Sequence, residues 1–121
     1  MSNLTLDSYQ QQARTTALYP RTERKAGDPI PGSNLTYVTL GLCGESGEVA
    51  EKIKKVIRDA SGIITEEKKQ ELKKELGDVL WYVANAAAEL DLNLEDVAQA
   101  NLDKLFSRKA RGVLTGSGDN R

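Results

Sequence analysis

The sequence predicts an all-α fold, a four-helix bundle-type domain built on one long antiparallel helical hairpin. Apolar residues recur at intervals of three, four and seven along several long segments, which is the period of one helix face. No segment shows the sustained alternation of a half-buried strand. The length of 121 residues suits a single domain with its own core, so we treat residues 1–121 as one domain.

The first element is predicted to be a helix from Leu6 to Tyr19, capped by Thr5 and stopped by Pro20. A loop over residues 20–33 follows, and it holds all three prolines of the chain. A connection of this length is longer than usual, which predicts that it is either functional or mobile.

The hairpin is the longest element. Its first helix is predicted from Asn34 to about Ala60, Gly62 ends that helix, and Thr65 caps the second. The positions expected to face inward on the first helix are Leu35, Val38, Leu42, Val49, Ile53, Val56 and Ile57. Those on the second are Leu72, Leu76, Val79, Leu80, Val83, Ala87 and Leu90.

A fourth helix is predicted to begin after Asn93, whose side chain would cap it, and to run to about Arg108. Its inward face is expected to be Leu94, Val97, Ala98, Leu102 and Leu105. The tail over residues 112–121 is polar and rich in glycine and serine, so we expect it to be flexible unless a ligand or partner orders it.

Composition excludes many kinds of site. Seventeen Lys and Arg against 18 Asp and Glu give a net charge of −1, so we expect no nucleic-acid partner and no polybasic membrane contact. The chain has no histidine and one cysteine, which rules out histidine bases, disulfide frameworks and thiolate zinc sites. No signal peptide or membrane-spanning run is evident, and we expect a cytoplasmic protein.

Four carboxylates are predicted to meet in the hairpin. Glu45 and Glu48 lie three residues apart on its first helix, and Glu75 and Asp78 lie three apart on its second. In an antiparallel pair, residues at the same height have position numbers with a constant sum. Both cross-helix pairs sum to 123, and half of 123 falls at the predicted turn. By the same rule Lys52 faces Glu71, which predicts an ordinary salt bridge.

Partly buried acids at one level repel one another, and a hard divalent cation removes that repulsion. Oxygen ligands without histidine or cysteine suit Mg²⁺ or Mn²⁺. We therefore predict a Mg²⁺ or Mn²⁺ site, the alternative being that the acids form a solvated helix face. Interior glycines, each costing ~1 kcal/mol relative to alanine, indicate that a ligand or a closely packed helix needs the bare backbone. They are Gly41, Gly44, Gly47 and Gly77.

The fourth helix adds candidate phosphate ligands. Asn101 is predicted at the centre of its apolar face, with Lys104 and Arg108 on the same side. A buried asparagine needs partners. It either fixes the register of the helix or, with Lys104, reaches a metal-bound phosphate.

Three segments together resemble the MazG-like all-α nucleoside-triphosphate pyrophosphohydrolases. They are LCGESGEVAE over residues 42–51, KELGDVLWY over 74–82 and NLDKLFSR over 101–108. The resemblance implies that Glu45, Glu48, Glu75 and Asp78 bind the metal, and that Asn101 and Lys104 contact phosphates. It also implies hydrolysis of nucleoside triphosphates to the monophosphate and pyrophosphate. A carboxylate such as Glu48, with Glu45 beside it, would orient the attacking water.

The base pocket is open to several candidates. Tyr19, Tyr37, Trp81 and the loop are candidate contributors, and Tyr82 closes the second motif. Trp81 is expected to point away from the core, which fits a position in an interface equally well. A purine such as dGTP is the expected substrate. Cys43 is interpreted as a packing residue.

We expect a homodimer or homotetramer, since more apolar positions line the hairpin than one short helix on each side can cover. The predicted patch comprises Val38, Leu40, Val56, Ile63, Ile64, Leu80, Trp81 and Val83. The tail would then reach a neighbouring site, where Arg111 and Arg121 would meet the leaving pyrophosphate. The alternative function is a non-enzymatic helical interaction module.

Overall fold

Four helices make up the part of the chain that the computed structural model describes, residues 3–121. They are α1 (Leu6–Thr15), α2 (Gly32–Asp59), α3 (Glu66–Glu89) and α4 (Leu94–Ala110). The helices α2 and α3 form the hairpin, while α1 packs against α3 and α4. The predicted all-α class is confirmed. None of the helices described is long and apolar enough to cross a membrane.

The hairpin turn lies where the sequence places it. Gly62 has a left-handed φ of 78°, and its backbone N–H donates to the Val56 carbonyl at 3.1 Å. The Thr65 side chain accepts a hydrogen bond from the backbone N–H of Lys68 at 3.1 Å, which caps α3 as predicted. The turn therefore sets the register between the two long helices.

Helix α1 begins at its predicted cap but ends early. Thr5 forms a capping box with the serine three residues on, whereas the helix stops at Thr15 rather than Tyr19. Tertiary contacts draw the following residues out of the helix: Trp81 Nε1 donates to Thr16 Oγ1 at 2.8 Å, and Tyr19 turns inward and is buried. The prediction of a helix to Tyr19 was wrong for this reason.

The cap of α4 comes from α1 and not from Asn93, whose side chain makes no capping hydrogen bond. The backbone N–H of Leu94 donates to Gln10 Oε1 at 3.0 Å, and that of Glu95 donates to Asp7 Oδ1 at 3.1 Å. Two side chains of α1 thus satisfy the free donors at the start of α4 and join the two helices.

The core consists of two small clusters that share Trp81. One contains Ala13, Ala84 and Leu94, and the other Ala17, Tyr19 and Val38. The side chain of Trp81 packs against both clusters. The prediction that Trp81 points away from the core was wrong, because α1 packs on α3 and its Ala13 belongs to a cluster that Trp81 contacts.

Several positions of α2, α3 and α4 that were predicted to face inward are exposed. Leu76 is 57% exposed and Ile57 is 66% exposed, although both were predicted to face inward. Other predicted inward positions that are exposed are Leu80, Leu90, Val97, Leu102 and Leu105. Conversely, Val38 and Val56 of the predicted surface patch are buried within the chain. Cys43, interpreted as a packing residue, is exposed.

The C-terminal tail folds back on α4 through its own arginines. Arg121 donates to the carbonyls of Val113, Leu114 and Gly118, at 3.2, 3.0 and 2.6 Å. Arg111 Nη2 donates to the Arg121 carbonyl at 2.9 Å. These contacts lie within one chain, and the predicted flexibility of the tail stays a prediction.

A buried carboxylate ties α1, the long loop, α2 and α3 together. Glu89, at 2% exposed, accepts hydrogen bonds from Arg14 Nη2 at 2.6 Å and from the Tyr19 hydroxyl at 2.7 Å. Asn34 Nδ2 donates to its other oxygen at 3.1 Å. The amide of Asn34 also exchanges two hydrogen bonds with the backbone of Thr22, which anchors the loop.

Burial by itself would raise the pKa of Glu89, but the hydrogen bonds from Tyr19, Arg14 and Asn34 hold that pKa below its ordinary value of 4.5. A carboxyl whose pKa is lowered on folding stabilises the fold above its unfolded pKa. That contribution is lost as pH falls through the folded value. The Glu89 cluster therefore makes the fold sensitive to acid below about pH 4.5.

Replacing Glu89 with glutamine should destabilise the fold by about 2–4 kcal/mol, because the charged acceptor for Arg14 and Tyr19 is lost inside the protein. Urea unfolding at pH 7 measures the change. Glu67→Gln, at an exposed glutamate of α3, is the matched control and should change stability by less than about 1 kcal/mol. Equal stability of Glu89→Gln and the wild type would contradict the proposed importance of the cluster.

Candidate active site

Three carboxylates from the two hairpin helices converge. One oxygen from each of Glu45 on α2 and Glu75 and Asp78 on α3 lies within 4.8 Å of the other two. Glu45 and Glu75 are partly buried, and Asp78 is exposed. The register set by the turn thus brings Glu45 to the height of Asp78 and within about one helical turn of Glu75, and the donor set is entirely carboxylate oxygen.

Glu48, the fourth predicted ligand, lies outside this group. It is exposed, one turn beyond Glu45 on α2, and makes no ion pair with the residues described. A three-residue step turns a helix by about 300°, which is about 60° short of a full turn. Glu48 therefore lies about 60° around α2 from Glu45, on the side away from the seam with α3. It remains near enough to act on Glu45 electrostatically.

The three carboxylates lack the partners that such a cluster needs. Burial raises the pKa of Glu45, and the neighbouring charges of Asp78, Glu75 and Glu48 raise it further. Lys52 Nζ is the nearby cation, 3.6 Å from Glu75 Oε1 and 3.9 Å from Glu71 Oε2. The predicted Lys52–Glu71 pair is therefore present, but Lys52 also reaches into the acidic cluster.

An aromatic wall continues from the carboxylates. Glu45, Asp78, Trp81 and Tyr82 line a cavity of about 270 Å³. The rings of Trp81 and Tyr82 meet edge to face at 4.9 Å between centroids. Burial raises the pKa of the Tyr82 hydroxyl, and so do the charges of Tyr37, Glu45 and Asp78, which keeps that hydroxyl protonated beside the acids. The cavity offers acidic oxygens at one side and flat rings at the other.

A second aromatic pair lies beside this wall. Tyr19 and Tyr37 stack with their centroids 4.9 Å apart, and Tyr19 meets Trp81 edge to face at 6.2 Å. Tyr19 is buried and bonded to Glu89, so it supports the wall, whereas Tyr37 is exposed. Of the base-pocket candidates, the structure places Trp81 and Tyr82 at the acidic cluster.

The glycines of α2 and α3 differ in what surrounds them. A Cβ at Gly41 would lie 2.1 Å from the ring of Tyr82, so Tyr82 requires the bare backbone there. A Cβ at Gly44, Gly47 or Gly77 would have no neighbouring atom within 4 Å, so none of residues 3–121 occupies that space. These three positions leave open surface on the hairpin helices.

The predicted phosphate ligands of α4 are not at the carboxylates. Asn101, predicted to be buried, is exposed, because none of the four helices described covers the face on which it lies. Lys104 Nζ and Arg108 Nη2 each lie 3.5 Å from Asp119 Oδ1 in the tail. Arg108 is buried, donates to the carbonyls of Gly118 and Asp119, and leaves its Nε without an acceptor. Within one chain these cations hold the tail.

Sequence reasoning missed the second contact of Lys52 and the cluster around Glu89. Lys52 lies between Glu71 and Glu75 because a four-residue step on α3 returns to the same face, a signal that the sequence does contain. The partners of Glu89 are about 55 to 75 residues away in the chain, and no periodicity connects them.

Comparison with known proteins agrees with this geometry. A model of the MazG nucleotide pyrophosphohydrolase domain matches residues 33–113, which include α2, α3 and α4. Gene 37 protein of Mycobacterium phage L5 is 54% identical over 116 residues, covering 96% of this chain and 98% of that protein. No solved structure matches.

The acidic cluster should bind a divalent cation and be stabilised by it. At a Mn²⁺ concentration 100 times the dissociation constant, we expect about 2.7 kcal/mol of added stability, measured as a rise in melting temperature over that in EDTA. Asp78→Asn should abolish this rise without lowering the metal-free melting temperature, because it relieves repulsion. Asp103→Asn, at an exposed position of α4, should respond like the wild type. Equal melting of the wild type with and without metal would favour the non-enzymatic interaction module.

Proposed function

Because the chain belongs to the MazG nucleotide pyrophosphohydrolase family, we propose that it hydrolyses nucleoside triphosphates to the monophosphate and pyrophosphate using Mg²⁺ or Mn²⁺. The observation that carries the proposal is the convergence of Glu45, Glu75 and Asp78 beside an aromatic wall. Members of the family generally depend on a divalent metal ion. The carboxylate oxygens present are the ligands that such ions prefer.

The metal would be held by Glu45, Glu75 and Asp78, with Glu48 as the fourth acid. When bound, the ion would withdraw charge from the phosphates and make a water molecule more acidic. Glu48, which is exposed and free of ion pairs among the residues described, would accept the proton of the attacking water. The water oxygen would form a bond to the α-phosphorus as the bond from that phosphorus to the oxygen bridging the α- and β-phosphates breaks. Pyrophosphate would leave with the electron pair of the broken bond. Glu45 would position Glu48 and the ion from one helical turn away.

The nucleoside half of the substrate would lie along Trp81 and Tyr82. These rings line the same cavity as Glu45 and Asp78, so a base or sugar there lies within reach of phosphates at the acids. Tyr37 is exposed and stacks on Tyr19, which supports the wall. Stacking strength grows with the area of the base, which supports a purine such as that of dGTP.

We also propose that the active protein is a homodimer or homotetramer. Leu76 and Leu80 are exposed one turn apart on α3, and Leu72 and Leu76 join Ile64 in lining an apolar cavity of about 550 Å³. A second copy of the chain would cover this row and the open glycine surface. It would also bring a second α4, with Asn101, Lys104, Arg108 and Arg111, toward the carboxylates of its neighbour.

Activity should require Mg²⁺ or Mn²⁺ and release pyrophosphate. Glu48→Gln should lower kcat about 10²–10⁴-fold, the usual loss on removing a general base. Glu51→Gln is the matched control: this carboxylate is on the same helix, is paired with Lys54 and Lys55, and should be replaceable without loss. Phosphorus NMR of the products measures the outcome for each ribo- and deoxyribonucleoside triphosphate. Nucleoside diphosphate and orthophosphate as main products would contradict the proposed reaction, and a pyrimidine preference would contradict the proposed base.

Light scattering should give a mass of two or four times 13.2 kDa at micromolar concentration. Leu76→Asp, in the exposed row of α3, should reduce the mass and the activity together, because it places a charge in the proposed interface. Leu18→Asp, at an isolated leucine that is 89% exposed after α1, should change neither. A fully active particle of 13.2 kDa would show that one chain is sufficient.

A further inference from the structure

A polar cavity lies at the other end of the hairpin from the turn, between the long loop and the last turn of α3. Its volume is about 250 Å³, and four cationic side chains line it, those of Arg14, Arg21, Arg24 and Lys25. The carboxylates of Glu23, Glu89 and Asp91 line it as well. Asp78 and Glu89 are 11 residues apart on α3, which is about 16 Å along the helix axis. The cavity is therefore separate from the acidic cluster.

The acids of this cavity do not neutralise all of its cations. Glu89 is buried and already bonded to Arg14, Tyr19 and Asn34. Asp91 contacts Arg24. Lys25 makes no ion pair with any residue described. The cavity lining therefore contains one cation, Lys25, whose charge no described residue neutralises.

Arg21 adds a second unmet donor. Its Nε lies 3.1 Å from Glu23 Oε1, but Glu23 is 83% exposed, and an ion pair of that kind contributes little and is easily exchanged. The Nη1 of Arg21 is buried and has no acceptor within the part of the chain that the structure describes. A buried guanidinium nitrogen without a partner is costly, and an anion entering beside it would supply the missing acceptor after a small shift of the side chain.

The size of the cavity limits what can enter. Ligand pockets for drug-sized molecules are about 300–1,000 Å³, and this cavity is smaller. A phosphate group or pyrophosphate fits this volume better than a whole nucleotide does. The donors are guanidinium and ammonium groups, which bind phosphoryl oxygens well.

We propose that this cavity is a second, metal-independent site that binds a phosphoryl anion through Arg21 and Lys25. The ligand is either a free anion, as inorganic phosphate or pyrophosphate, or the phosphate of a nucleoside monophosphate whose sugar and base remain outside. The site goes beyond the proposed hydrolysis and does not require it, since none of its residues belongs to the acidic cluster.

Isothermal titration calorimetry of the full chain in EDTA tests the proposal. Inorganic phosphate, pyrophosphate and dGMP are the three ligands. Because EDTA removes divalent ions, the acidic cluster repels these anions and contributes no binding. The variant Asp78→Asn should bind as the wild type does, so a failure of the proposed hydrolysis leaves this result unaffected.

Arg21→Gln and Lys25→Gln should each weaken binding about tenfold, which corresponds to losing one charged hydrogen bond. Lys25 is exposed, so its variant keeps the fold even if Arg21→Gln does not. Lys54→Gln is the charge-matched control, on α2 about 30 Å along the axis from Asn34, and should bind as the wild type does. Binding of inorganic phosphate or pyrophosphate assigns the free anion, and binding of dGMP alone assigns the nucleotide phosphate. The proposal is overturned if no ligand binds saturably, if Lys25→Gln binds as the wild type does, or if Lys54→Gln loses as much affinity.

Discussion

The buried carboxylate of Glu89 is the constraint on which the arrangement of this chain depends. Removing a charge from water costs several kcal/mol unless hydrogen bonds replace its hydration, and three donors from different segments do so here. Arg14 belongs to α1, Tyr19 to the loop and Asn34 to α2. Satisfying one carboxylate on α3 therefore fixes where all three segments lie, and with them the Tyr19–Tyr37 stack behind the aromatic wall.

The same hairpin carries a second set of acids, which has few hydrogen-bond donors or cations around it. Glu45, Glu75 and Asp78 lie as close together as ligands of one ion would, yet Lys52 is the only cation close to them among the residues described. Burial raises the pKa of Glu45, and the charges of the neighbouring acids raise it further. A chain that places three donors around Glu89 and almost none around this cluster supports the proposal that an external cation binds there. This contrast, more than the presence of acids alone, favours a metal site over a solvated helix face.

The helices and the hairpin register could be predicted because local signals determine them. Thr5, Gly62 and Thr65 act through hydrogen bonds to residues within six positions, and the constant sum of positions followed from the turn alone. The early end of α1 and the cap of α4 could not be predicted, because side chains from distant segments decide both. Periodicity found the apolar stripe of α3 but not what covers it. Helix α1 packs on α3 around Trp81, and Leu76, Leu80 and Leu90 of the stripe remain exposed.

The candidate site was likewise predictable only where local helix geometry determines it. Helix geometry predicts the convergence of three of its carboxylates. Glu48 lies outside that group because a three-residue step places it about 60° around α2 from Glu45. The sequence predicted that Lys104 and Arg108 of α4 contact phosphates at the carboxylates. In one chain these two side chains face Asp119 of the tail instead. On the proposed function, a triphosphate approaching one chain meets carboxylates and a single lysine, so its binding must depend on the divalent ion. Lys104 and Arg108 of a neighbouring α4 would add cations at the carboxylates once a phosphate displaced Asp119 of their own tail. On the proposed assembly, the exposed leucines of α3 and the missing phosphate contacts therefore have one cause, because the same neighbouring chain would cover the leucines and supply the contacts.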